Sequence, residues 1–367
     1  MKTSYLLGSL NRGGTETLVL DVFRNAKANG LDAIGIYRKS GVCEQEFYDS
    51  GVSMFKVSPS KNIVSYLLKL RKLISNQKAT IVHAQQPLDA LFAYLALFGT
   101  GIKILLTLHG FDYTENKTGK LILRFILKRT SKNIYVSNYQ KEYYTKKYKL
   151  NIQKQEVVYN GVSFEKFNLN ENNANIINDL KIQSDTIILS AVGNFNMVRD
   201  QMTLCRFANL LHKANTDFRL LLVGKRIDSL GFRYDECINY CKDKNLTNKV
   251  LFLGVRNDVP AILQLSDAFI YSTSHDTFGI AVVEALACGL PVFVNDWSVM
   301  TEITENGKLA TLYKTKDETD LFRQFSLYLQ DKNQFEEKAK AASKIVYEKY
   351  SIEKHIQDLK KVYNETK

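Results

Sequence analysis

Along this chain, short runs of consecutive apolar residues alternate with longer stretches in which apolar positions recur every three or four places. The runs fall at 4–7, 33–37, 53–57, 80–84, 103–108, 133–136 and 156–159, and again at 186–192, 218–223, 250–253, 268–271 and 291–294. A strand apolar on both faces must be covered on both, which is the habit of parallel sheets joined by helical crossovers. The pattern predicts an α/β protein of two doubly wound domains facing one another, with ligands at the carboxyl ends of the strands. The polar, Asn-rich residues 168–179 interrupt the alternation and mark a boundary, giving domains at 1–170 and 180–350. An amphipathic helical tail follows, and its last segment, about 351–367, has the first domain as one surface to pack against.

Size agrees with this division, because 367 residues exceed one ordinary core. Cys43, Cys205, Cys237, Cys241 and Cys288 are odd in number and scattered, so a reducing cytosol is expected rather than a disulfide framework. Cys237 and Cys241 stand one helical turn apart, but no His or Cys pair elsewhere completes a zinc site. No stretch approaches the ~20 apolar residues that span a bilayer, and the opening residues are too briefly apolar for a secretory signal.

Charge changes the picture in one place. Of a net +12, much lies between Lys117 and Lys154, where eleven Lys or Arg face a single acid, Glu142. Lys120, Arg124 and Lys128 form a stripe on an otherwise apolar helix. Two readings stay open: an interfacial element that rests on an anionic membrane at about 1 kcal/mol per basic residue, or a core helix with a solvated basic face. Nucleic acid is not expected as a partner, since no recognised binding motif accompanies the charge.

The densest candidate chemistry lies in residues 272–292, STSHDTFGIAVVEALACGLPV. Asp276 and Glu284 have seven residues between them, across a turn that leads into a small-residue helix. Thr277, Phe278, Gly279 and Ile280 stand at the helix start, where free N–H groups and the positive dipole end favour a phosphate. Gly289 suits a left-handed position past the helix end, and Pro291 cannot continue it. A glutamate in so apolar a helix is costly to bury alone, so it reaches solvent or meets a ligand. A diphosphate with several nearby hydroxyls, a sugar nucleotide, fits that combination; a buried αβ unit with a capping acid is the plainer alternative.

Other strand ends add to it. Gly193 and Asn194 leave one strand and are followed by Arg199, whose guanidinium suits an anionic leaving group. Lys225, Gly254 and Arg256 follow two further strands. In the first domain a glycine pair ends at Gly14, either a ligand loop or a tight turn. His109 closes an apolar strand, where it is a cleft residue or a satisfied structural one; His83 reads as structural. No Asp-x-Asp pair occurs anywhere, so the expected chemistry uses no metal and no other cofactor.

In order along nearly the whole chain, GGTE, TLHG, VVYNGVSFEKF, GNFNMVRDQMTL and FLGVRNDVPAILQLSDAFIYSTSHDTFGIAVVEALACGLPV resemble the motifs of family 4 glycosyltransferases. The resemblance implies a GT-B fold, two facing Rossmann-like domains with a cleft between them, the first binding acceptor and the second nucleotide sugar. It implies a retaining transfer from a nucleoside-diphosphate sugar, a UDP-sugar being expected, to a glycan or lipid-linked oligosaccharide of capsule, O-antigen or exopolysaccharide assembly. The place implied is cytoplasmic, peripheral on the inner face of the cell membrane through 117–154. By the same resemblance Asp276 would contact donor hydroxyls and Glu284 the ribose. Gly279 and Ile280 would meet the diphosphate, His109 the reacting centre, and Gly14 donor phosphate or acceptor. Three departures stand out: Asp276 replaces a usual glutamate, Asn194 a usual arginine and Arg199 a usual lysine. A sugar-nucleotide 2-epimerase-like isomerase of the same fold and a degenerate partner subunit are the alternatives.

Overall fold

The computed structural model describes residues 1–59, 62–112, 116–167, 185–227, 229 and 231–366. They form two compact units, Met1–Ser163 with Tyr350–Lys367, and Phe164–Lys349. The boundary expected at 168–179 lies outside the described residues.

Unit 1 holds seven parallel strands: β1 (Thr3–Ser9), β2 (Ala33–Lys39), β3 (Ser53–Lys56), β4 (Ile81–Ala84), β5 (Lys103–Leu108), β6 (Lys132–Tyr135) and β7 (Gln155–Val157). Their order is β3-β2-β1-β4-β5-β6-β7. Between them run α1 (Gly14–Ala26), α2 (Glu44–Tyr48), α3 (Ile63–Asn76), α4 (Pro87–Ala96), α5 (Lys117–Leu127) and α6 (Asn138–Tyr148). The two-residue period of β1 sends Tyr5 and Leu7 into one core layer and Leu6 into the other. Helix starts follow capping chemistry: Asn62, Asn116 and Ser137 each accept from an N–H of the first turn.

Unit 2 has six parallel strands: β8 (Ile187–Val192), β9 (Phe218–Val223), β10 (Val250–Gly254), β11 (Ala268–Tyr271), β12 (Val292–Asn295) and β13 (Thr311–Tyr313). Their order is β10-β9-β8-β11-β12-β13. Its helices are α7 (Gln201–Lys213), α8 (Gly231–Asp243), α9 (Val259–Leu265), α10 (Ile280–Ala287), α11 (Ser298–Ile303), α12 (Glu318–Gln330) and α13 (Lys332–Tyr350). The short strand β13 has no counterpart among the expected runs; only its last residue is fully buried, so its pattern carries little signal.

The final helix, α14 (Ile352–Glu365), belongs to unit 1. Ile352, Ile356, Leu359 and Tyr363 fall on one helical face and join the core of Tyr5 and Phe23. The Tyr363 hydroxyl lies 2.7 Å from that of Tyr5 and 2.7 Å from His83 Nδ1, and His83 Nε2 lies 2.6 Å from Thr107 Oγ1. Among the described residues no helix is long and apolar enough to cross a membrane.

Candidate functional site

In each sheet the strand order reverses once, between β8 and β11 in unit 2 and between β1 and β4 in unit 1. Adjacent loops diverge there and leave room at the carboxyl edge, the usual ligand position in doubly wound sheets.

At the unit 2 reversal the loop after β8 is stitched to the loop after β11. Arg199 and Thr273 form an antiparallel bridge, Asp200 N donates to Ser272 O at 3.1 Å, and Ser274 N donates to Val198 O at 2.9 Å. Asn295, at the end of β12, fixes the second loop from below: its side chain accepts from Thr273 N at 2.9 Å and donates to Thr273 O at 2.8 Å. The stitching brings together Arg199 and Asp276, seventy-seven positions apart, in an ion pair. Asp276 also accepts from the Tyr271 hydroxyl at 2.5 Å and from Thr277 N at 2.9 Å. Arg199 stacks over the Tyr271 ring at 4.7 Å, and among the described residues its buried Nε has no hydrogen-bond partner. Gly193 packs closely against it, since a Cβ there would lie 3.0 Å from that Nε and the guanidinium would have to shift by a few tenths of an ångström.

The chain then turns into α10 through Gly279, whose φ of 86° and ψ of 57° are left-handed. A side chain at 279 would also meet the Met300 methyl at 2.8 Å. The N-cap residue Gly279 makes no side-chain capping bond, and Val282 N donates to Gly279 O at 3.0 Å, so the N–H groups ahead of Val282 are those a helix-start anion would meet. Phe278 is buried, so at this position only the backbone can meet a ligand. Glu284 lies on the same short helix, partly exposed, and pairs with Lys166 at 3.1 Å. That lysine belongs to the quoted FEKF segment, and no spacing rule connects it with position 284.

The remaining unit 2 positions lie along the same carboxyl edge with differing duties. The side chain of Asn194 accepts from Lys225 N at 2.9 Å and so ties the loops after β8 and β9 together. Gly224 sits where any Cβ would fall 2.1 Å from Gly193 O. Gly254 is left-handed with open space around it, Lys225 is exposed, and Arg256 pairs with Asp258 at 2.5 Å. Among the described residues no group of three or more His, Cys, Asp or Glu side chains converges as a metal site.

Unit 1 carries the other two candidates. Gly14 opens α1, exposed, with nothing near the place of a Cβ. His109 follows β5, half-buried, with Nε2 at 2.8 Å from Gln85 Oε1. Burial presses its pKa down to about 3, so it is a neutral hydrogen-bonding group at neutral pH. His83 is buried between Tyr363 and Thr107, a structural histidine.

Residues 12–166 match the family described as Glycosyltransferase Family 4, and residues 172–348 match Glycosyl transferases group 1. The chain is 27% identical over 298 residues to the UDP-Gal:alpha-D-GlcNAc-diphosphoundecaprenol alpha-1,3-galactosyltransferase of Escherichia coli, covering 77% of this chain and 76% of that one. It is 26% identical to the N-acetyl-alpha-D-glucosaminyl L-malate synthase of Bacillus anthracis, covering 80% and 77% respectively. Among solved structures, Anabaena HepE in complex with UDP and glucose superposes with a TM-score of 0.87 at 16% identity over 100% of both chains. That likeness is one of fold, two Rossmann-like domains of the GT-B type.

Proposed function

The chain belongs to the glycosyltransferases of group 1 and family 4, and on that premise we propose a retaining, metal-independent transfer from a UDP-sugar to a glycan or lipid-linked saccharide of cell-surface polysaccharide. The observation that carries this reading is the junction in unit 2: an uncapped helix start with Glu284 farther along the same helix and the Arg199–Asp276 pair beside it. The diphosphate lies against the first amides of α10, and Arg199 supplies the cation that offsets leaving-group charge. Glu284 accepts hydrogen bonds from the ribose diol. Asp276, already holding three donors, fixes Arg199 and offers its remaining lone pair to a sugar hydroxyl.

In the transfer, the bond from the anomeric carbon to the diphosphate oxygen breaks, and its electron pair leaves with UDP. An acceptor hydroxyl oxygen bonds to the same carbon on the same face, and its proton passes to the departing diphosphate. His109, neutral, hydrogen-bonds near the reacting centre. The E. coli relative's name supports a UDP-sugar donor and a diphospholipid-linked acceptor; the absence of any Asp-x-Asp pair supports independence of metal.

Calorimetry with UDP, GDP and their sugars tests the donor site. UDP should bind, and Glu284→Gln should weaken it about tenfold through loss of charge-assisted bonds. Unchanged UDP affinity in that variant would remove Glu284 from the site.

A further inference from the structure

The core of unit 2 holds three thiols for which the transfer chemistry has no use. Cys205 of α7 and Cys237 and Cys241 of α8 belong to one core cluster, none more than 3% exposed. A free cysteine in such a place is ordinarily an inert, small hydrophobe. Here, though, Cys205 makes side-chain hydrogen bonds to both Cys237 and Cys241, so one sulfur of α7 sits against two of α8. Among the described residues the three do not converge as a metal site, which leaves the pairwise chemistry of thiols.

Helix geometry narrows the pairs. Cys237 and Cys241 stand one turn apart, their Cβ atoms about 5–6 Å from each other, beyond the ~3.5–4.5 Å that a disulfide spans. Either one must therefore bridge to Cys205. Of the three, Cys241 also lines a cavity of about 310 Å³ between α8 and β10. β10 is the edge strand of its sheet, and Leu251 and Leu253 on it are only partly buried, so a small molecule can approach from the uncovered flank. With Ile238 and Val250 these residues make the cavity wall mostly apolar, and Lys242 adds a cation.

Proton placement separates the two sulfurs. The hydrogen bond from Cys205 holds the Cys241 thiol below its ordinary pKa. Cys205 is itself pushed well up by its bonds to Cys237 and Cys241 and by burial. Cys241 is thus the sulfur that ionises, and Cys205 the one that keeps its proton. Elsewhere the Cys43 and Cys288 thiols are both raised, chiefly by burial, Cys288 to about 12.

We propose that this cluster is an oxidation site for an alkyl hydroperoxide, with Cys241 as the nucleophile and Cys205 as the resolving thiol. The Cys241 thiolate attacks the terminal peroxide oxygen. An S–O bond forms, the O–O bond breaks, and the alkoxide leaves, taking from water the proton that Cys241 had given up. Sulfur is oxidised to a sulfenic acid and the hydroperoxide is reduced to an alcohol. Cys205 then attacks the oxidised sulfur: an S–S bond forms, the S–O bond breaks, and hydroxide leaves with the Cys205 proton as water. A dithiol reductant reverses the bridge, the transient kind of disulfide that reducing compartments tolerate. Apolar walls favour an alkyl hydroperoxide over the more strongly hydrated hydrogen peroxide.

The test treats the native full chain with cumene hydroperoxide or hydrogen peroxide at equal concentration, blocks free thiols with N-ethylmaleimide, and maps unreduced peptides by mass spectrometry. A Cys205–Cys241 linked peptide should form, about tenfold faster with cumene hydroperoxide, and disappear with dithiothreitol. Cys205→Ala should stop at the sulfenic acid, trapped by dimedone on Cys241, whereas Cys237→Ala should still bridge. A bridge from Cys205 to Cys237 overturns the assignment, as does dimedone on Cys43 or Cys288 while the three thiols stay free. Equal rates for the two peroxides overturn it too, because the oxidant would then not pass through the cavity. So does a native chain that resists oxidation when the same chain unfolded in urea does not, since the thiols would then serve packing alone. These four readings come from the unsubstituted chain and hold whether or not either variant folds.

Discussion

Arg199 is the residue on which the unit 2 site turns. It stacks on Tyr271, pairs with Asp276 and lies under Gly193, so three neighbours hold its guanidinium before any ligand arrives. A preorganised cation needs no reorganisation as charge develops on a leaving group, which is why such groups weigh on turnover more than on binding. Arg199→Ala is therefore expected to lower kcat about 100-fold with a smaller change in donor KM. Arg199→Lys should keep the charge but lose the fork and the ring contact, costing about tenfold. Steady-state kinetics decides; a loss confined to KM would make Arg199 a binding group only. Asp276 changes meaning in the same light. Its place beside the loop is plain in the sequence, whereas its pairing with a guanidinium seventy-seven positions earlier is not, because nothing local encodes a contact made by two loops of one sheet edge.

At the scale of elements, the junction into α10 depends on a backbone shape that only glycine adopts readily. Gly279→Ala would place a side chain in the left-handed region at about 1–2 kcal/mol and force Met300 aside. The expected result is a lower Tm and UDP binding weakened about tenfold, read by thermal melts and calorimetry. An unshifted melt with unchanged UDP affinity would mean the turn tolerates a side chain. Elements of this kind were the most legible part of the chain. Strands apolar on both faces announced parallel sheets, and Gly289, at a φ of 70°, terminates α10 as its position suggested. The illegible parts share a physical cause. β13 is three residues long, too short for a period. Lys166 meets Glu284, Asn194 meets Lys225 N, and Cys205 meets Cys237 and Cys241 across elements whose relative placement only the fold decides. The basic stripe on α5 remained two-sided in sequence, because a solvated face and an interfacial one share one period; exposed Leu121 and Phe125 are visible only in three dimensions.

At the scale of the whole molecule, unit 1 buries two imidazoles, His83 and His355, and half-buries a third, His109. His83 and His109 are pressed down to about 3 and His355 to about 4, each chiefly by burial, from an ordinary value of 6.5. His83 faces Tyr5, Tyr363 and Thr107; His109 faces Gln85; His355 faces the Tyr159 carbonyl and lies near Asp358. Below pH 6.5 the unfolded chain takes up protons that the native unit refuses, so stability falls as pH drops from about 6.5 toward 4 and is fully present above that window. Between pH 7 and pH 5 each histidine contributes at most about 2 kcal/mol to the loss. Melts across that range should show Tm dropping before carboxylates titrate, and a flat profile would mean that these rings are solvated.

The last helix completes a core begun by the first strand: Tyr363 and Tyr5 share a hydroxyl contact although 358 positions separate them. Unit 2 is thus an insertion within unit 1, entered after Ser163 and left before Tyr350. A ribosome working from the amino end exposes seven strands of an unfinished domain, then synthesises an entire second one, before the residues that close the first emerge. Until they do, the apolar groove that awaits Ile352, Ile356 and Leu359 stays open to chaperones and to aggregation. Every nascent copy therefore spends much of its growth with its first-made unit incomplete, and a stop before Ile352 would strand it there.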